Sequence, residues 1–286
     1  MNIDLDDLFY RNFPADFHIY LITILKNILE DPTKHPELFR GIEKINEKDV
    51  SNSVKVQIRA MYYQSIETLF ELIFALERIL EGKSGKRGLW YNLSSSPYRK
   101  NYERISKSDF SFLDKKYSIE DVQKNKLEVT LAHYIFFFNF QLNQNVLESI
   151  EAIKAVLKIF ARDFSDRDQY NAFKHSLRVF RTIKSIKITK KDSQKSEDEI
   201  AMKDSISYLK INNDYNKNVS LISKALDTTR DCHLALLSSR IISNIFRSRR
   251  SVKLDRPEFI YFFTTQEVKD LSKHSDNLST VRLNFR

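Results

Sequence analysis

Ser53-Val-Lys-Val-Gln-Ile-Arg-Ala-Met-Tyr-Tyr-Gln-Ser-Ile-Glu-Thr-Leu-Phe-Glu-Leu-Ile-Phe-Ala-Leu-Glu-Arg-Ile-Leu80 decides the fold class. Ile58, Met61, Tyr62, Ser65, Leu69, Leu72, Ile73, Leu76 and Leu80 recur at helical spacing over many turns, the mark of one long helix with a buried stripe. Gly82 stands where a glycine ends a helix at its C′ position. Gln64, Glu67 and Glu71 lie along one side of the helix. A catalytic carboxylate pair there is weighed against a solvated or capping face, and the latter is favoured.

Similar patterns extend outward. Residues 14–30 read as a helix with Pro14 in its first turn and Asp31-Pro32 as its stop. Residues 32–52 are polar, with short helical pieces. Ser118-Ile-Glu-Asp reads as an N-cap opening a helix to about Asn139, and Val146, Ile150, Ile153, Leu157 and Phe160 mark another over about 142–162. Val179, Ile183, Ile186 and Ile188 are β-branched, and Ile206 to Lys210 alternates, so 179–211 reads as a β-hairpin with a charged tip. A last long helix is expected from about Asn216 to Arg249, followed by a peripheral segment, 257–286, with a short strand at Phe259–Phe263. Four Gly and five Pro leave few tight turns. The expected fold is mainly α: one domain with a core at about 53–250, a bundle of five or six long helices and an appended β-hairpin.

The net charge of +9 points toward an anionic partner such as RNA or a nucleotide, against a chance excess of surface cations. The last helix ends in Arg240, Arg247, Arg249 and Arg250, more cations than helix capping requires. With Lys174 they form the candidate nucleic-acid-binding set. Gly82, Gly85 and Gly88, interleaved with Lys83, Lys86 and Arg87, form a weak phosphate-loop candidate, because the loop follows a helix and lacks the Walker spacing. Trp90, Tyr91 and Tyr98 could stack on bases or pin a loop to the core. His133 lies on an apolar stretch and reads as a core histidine. The lone Cys232 excludes an intrachain disulfide and a multi-cysteine zinc site. Six scattered His and no H-E-x-x-H motif disfavour a metal hydrolase, and no cofactor is expected. The acidic N-terminus does not resemble a signal peptide, and the longest apolar run, Tyr134–Phe138, is far too short to span a bilayer, so a cytoplasmic protein is expected.

The catalytic candidates lie in Arg167-Asp-Gln-Tyr-Asn-Ala-Phe-Lys-His175-Ser-Leu-Arg178. If this stretch is helical throughout, Asn171, Lys174, His175 and Arg178 share one face. Asn171 followed by His175, between long helices, resembles the HEPN superfamily of helical domains, whose motif is an Arg, usually a polar residue next, and a His four to six residues on. Tyr170 occupies the expected Arg position, and Arg167 lies one residue too far upstream. The resemblance implies a homodimeric, metal-independent ribonuclease of the toxin or antiphage-defence kind, or a catalytically degenerate RNA-binding descendant. It implies His175 as general base and Arg178 or Arg167 as phosphate clamp. The alternatives are a non-enzymatic helical interaction or dimerisation module for an acidic partner, and a purely structural role for Asn171 and His175.

Overall fold

The long helix forms as its periodicity predicts, and starts earlier. This helix, α3, spans Glu47–Leu80 in the computed structural model. Its stop is a Schellman motif. Lys83 N donates to Arg78 O at 3.1 Å, Gly82 N donates to Ile79 O at 3.1 Å, and Gly82 takes φ +69°, a conformation glycine adopts without Cβ strain. The structure describes residues 4–41, 46–83, 88–120, 126–165, 167–174, 179–181, 185–189, 197–201, 205–211, 219–254, 257–275 and 280–285. The fold is mainly α with appended antiparallel β structure. By its internal contacts the chain groups into two compact units.

The first unit comprises Met1–Thr23, Met61–Ser165 and His233–Ser272. It contains α1 (Leu5–Asn12), α4 (Leu89–Ser94), α5 (Tyr98–Ser106), α6 (Leu131–Phe136) and α7 (Gln144–Phe164). It also takes parts of α2 (Phe17–Glu30), α3 and α9 (Thr228–Leu254), and most of α10 (Thr265–Ser275). Its core is aromatic. Phe70 stacks on Phe110 with ring centroids 5.8 Å apart, and Phe13 on Phe246 at 4.1 Å. Tyr62 buries its ring yet keeps its hydroxyl paired, donating to Asp163 at 2.7 Å. Glu71 accepts from Asn101 at 3.1 Å and from Ser96, so this carboxylate anchors the turn before α5.

Two expectations fail here. Residues 118–139 are not one helix: β1 (Lys116–Glu120) and β2 (Lys126–Thr130) pair antiparallel, Tyr117 opposite Val129. The helix waits until Leu131, where Thr130, not Ser118, caps it by accepting from His133 N at 3.2 Å. Upstream, residues 88–118 hold α4 and α5.

The second unit comprises Ile24–Ala60, Asp166–Cys232 and Lys273–Arg286. A four-stranded antiparallel sheet runs in the order β3 (Val179–Arg181), β6 (Ser205–Ile211), β7 (Val219–Ala225), β8 (Thr280–Phe285). The hairpin read at 179–211 is present: β3 pairs with β6, and further out β4 (Ser185–Thr189) pairs with β5 (Glu197–Ala201). Its tip lies outside the described residues. The sheet then continues into sequence read as helix, because Val219–Ala225 is a strand and α9 begins only at Thr228. α8 (Arg167–Lys174) lies on β6, with Ala172 packed among Tyr208, Ile222 and Val179. A buried ion pair joins Arg59 of α3 to Asp231 of α9.

Candidate nucleic-acid interface

The predicted catalytic stretch is helical over Arg167–Lys174, which is α8. β3 opens at Val179, so of the face assumed for Asn171 through Arg178 the described helix carries the part before His175 and Arg178. Those two residues lie outside the described residues, as do the side chains of Arg167 and Lys174. Tyr170 is 4% exposed, and Gln169 and Ala172 are buried beside it, while Asn171 is half-buried. The Tyr at the expected Arg position thus belongs to the core of the second unit. Asp168, on the outer side, pairs with Lys210 of β6.

The basic end of α9 separates into two groups. Arg249 is 6% exposed, and its guanidinium donates to Ile135 O at 2.9 Å, Tyr134 O at 2.8 Å and Ile245 O at 3.1 Å. Ile135 and Tyr134 lie in the last turn of α6, whose carbonyls have no following turn to bond. A cation suits that position because the peptide dipoles leave it negative. Arg250 likewise donates to Tyr10 O at 3.0 Å and Phe13 O at 2.9 Å. These two arginines hold the fold, which accounts for part of the cationic excess.

Arg240 and Arg247 face an extended strap, residues 257–264, instead. The strand expected at Phe259–Phe263 is absent: among the described residues no strand pairs with this strap, and side chains take the place of a ladder. Asn244 Nδ2 donates to Tyr261 O at 2.7 Å while Tyr261 N donates to Asn244 Oδ1 at 2.8 Å. Phe263 N donates to Ser149 Oγ at 2.9 Å. Ile260 and Phe263 point into the core, leaving Phe259 67% exposed and Phe262 50% exposed. Phe262 stacks by one face on Phe137 at 6.1 Å. Phe259 meets Tyr261 edge-on at 5.1 Å.

Two guanidinium groups lie against these rings. Arg240 sits 5.4 Å from the Tyr261 centroid, and Arg247 lies 5.6 Å from Tyr261 and 5.9 Å from Phe259. Arg247 is also neutralised by Asp16 at 2.6 Å. Arg240 is exposed and forms no ion pair among the described residues. Periodicity could not reveal this combination of exposed aromatic faces and an uncompensated cation, since the strap and α9 meet only in the fold. The available sequence signal was the Phe-Ile-Tyr-Phe-Phe run itself, beside an Arg-rich helix.

The glycine-rich loop has a structural use. Asp6 caps α4, accepting from Leu89 N at 2.9 Å and Trp90 N at 3.2 Å. A Cβ at Gly88 would collide with that carboxylate, so the glycine admits it. The amides that could cradle a phosphate at α4 are therefore occupied, and Gly85, Lys86 and Arg87 lie outside the described residues. Trp90 stacks on Phe9 at 5.8 Å, joining α4 to α1. Among the described residues, no three metal-ligating side chains gather to hold an ion, and no helix is long and apolar enough to cross a membrane. No protein-family model, no curated protein and no solved structure matches the chain.

Proposed function

We propose that this chain is a HEPN-like protein that acts on RNA and engages single strands along the strap. The observation that carries this reading is Arg240, an exposed guanidinium held over Tyr261 beside the open ring of Phe259. Single-stranded nucleic acid is held by base stacking on aromatic faces together with cations that meet the phosphates, and this surface offers both. The net charge of +9 adds long-range attraction. The HEPN resemblance assigns His175 as the base and Arg178 or Arg167 as the clamp. A homodimer bringing two such motifs together belongs to the same proposal, and light scattering checks it.

Fluorescence anisotropy with a labelled single-stranded RNA tests the reading. Phe259→Ala should weaken binding by about 1–3 kcal/mol, roughly five- to 150-fold in Kd. Arg240→Ala should weaken it and flatten the salt dependence. Unchanged affinity in the double variant would sink the strap as the RNA site. Cleavage is scored separately: loss of product with His175→Ala, at unchanged affinity, assigns the catalytic step. The second reading, a module for an acidic partner protein, uses the same cation without stacking. Phe259→Leu should spare such a partner and impair RNA.

A further inference from the structure

Between β2, α6 and the first turns of α7 lies a cleft of about 520 Å³, within the first unit and separate from the strap residues. Its size is that of a small-molecule site. Leu127, Leu142 and Leu147 line it and are 46%, 57% and 45% exposed, so three large apolar side chains face solvent around one opening. Grouped exposed leucines of this kind mark a surface that gains by being covered.

The polar lining is mainly acceptor. Among the described lining residues, Asp114, Glu128 and Glu151 contribute carboxylates, against Lys116 as the one cation. Lys116 bonds Glu128 at 3.1 Å. Lys154, from behind, bonds Asp114 at 2.8 Å and Glu151 at 2.9 Å. Even with Lys154 counted, the carboxylates outnumber the ammonium groups. They are also well exposed, whereas the Lys154 side chain is 19% exposed. His133 adds to the pattern: its Nε2 lies 2.8 Å from Phe140 O, and a carbonyl can only accept. Nε2 therefore carries the proton, and in the neutral ring Nδ1 is an acceptor.

We infer that this cleft binds a small apolar amine, with its hydrocarbon or aryl body against the leucines and its ammonium group among Glu128, Glu151 and Asp114. The inference is independent of the RNA reading. An acidic opening on a chain of net charge +9 is the opposite of what non-specific attraction would select, and this makes the test sharp. The full-length chain is titrated with dansylcadaverine, a cationic probe, and with dansyl-aminohexanoate, an anionic probe of similar apolar body. A general surface effect on this basic protein favours the anion.

The cleft as described favours the cation by roughly fivefold, the scale of a partly screened ion pair. Glu128→Gln with Glu151→Gln should abolish that preference. Leu147→Trp, at an exposed position where a larger side chain fills the opening without disturbing the core, should reduce binding of dansylcadaverine. Equal or tighter binding of the anionic probe overturns the inference. Cation binding that survives Leu147→Trp unchanged overturns it as well.

Discussion

Replacing Arg249 by methionine asks whether the arginines at the end of α9 serve the fold or a ligand. Methionine keeps most of the stem and removes the guanidinium. Two carbonyls at the end of α6, those of Tyr134 and Ile135, then lose their donor in a region Arg249 had sealed. An orphaned buried acceptor costs about 1–3 kcal/mol, so the pair costs about 2–6 kcal/mol. The cation also lies 5.2 Å from the Tyr134 ring and 5.3 Å from that of Phe138, contacts worth about 0.5–2 kcal/mol. Apolar burial of the methionine returns part of this, leaving an expected loss of about 4 kcal/mol, a large share of a typical folding free energy of about 5–15 kcal/mol. Urea unfolding followed by circular dichroism measures it, with Arg240→Ala as the comparison. Among the described residues, the Arg240 guanidinium lies against the Tyr261 ring from an exposed position, so its removal should cost about 0.5 kcal/mol or less. The reasoning fails if Arg249→Met unfolds within about 1 kcal/mol of the parent chain yet loses RNA affinity.

Acid should act through His18, which is 4% exposed on α2 with no hydrogen-bond partner for Nε2 among the described residues. Burial pushes its pKa down to about 4 from 6.5. The folded state therefore prefers the neutral ring: its contribution is complete above about pH 6.5 and is lost as pH falls toward 4, with about 2 kcal/mol gone by pH 5. His18→Leu should remove that part of the difference between urea midpoints at pH 7.5 and pH 5, and an identical difference in the variant would count against it. Cys232 is 5% exposed, and burial, reinforced by Asp231, pushes its thiol up to about 11. Iodoacetamide at pH 8 should modify the native chain far more slowly than the urea-unfolded chain, because the thiolate is scarce and shielded. Equal rates would show that the site opens readily.

Local pattern was enough wherever one element could satisfy itself. The α3 stripe, the Gly82 stop and α7 follow from spacing and backbone chemistry, because a helix bonds within its own segment. The 179–211 hairpin follows for a similar reason, since its strands adjoin in sequence. Val219–Ala225 shows the limit. Val219, Ile222 and Leu226 fit a helical period as well as a short strand, and pairing with β6 and β8 decides between them. β8 lies far along the chain, so its contribution is invisible locally.

The candidate sites show the same division. A run of arginines announces charge, but not which guanidinium groups carbonyls will consume. Burial and bond partners place Arg249 and Arg250 in the fold and leave Arg240 facing solvent over Tyr261. By itself, the sequence determined a mainly helical protein, the long helices α3 and α7, one hairpin and a cationic surplus. Tertiary structure alone decided which polar groups remain for a ligand, because a hydrogen bond or an ion pair is assigned only when distant segments meet and water leaves.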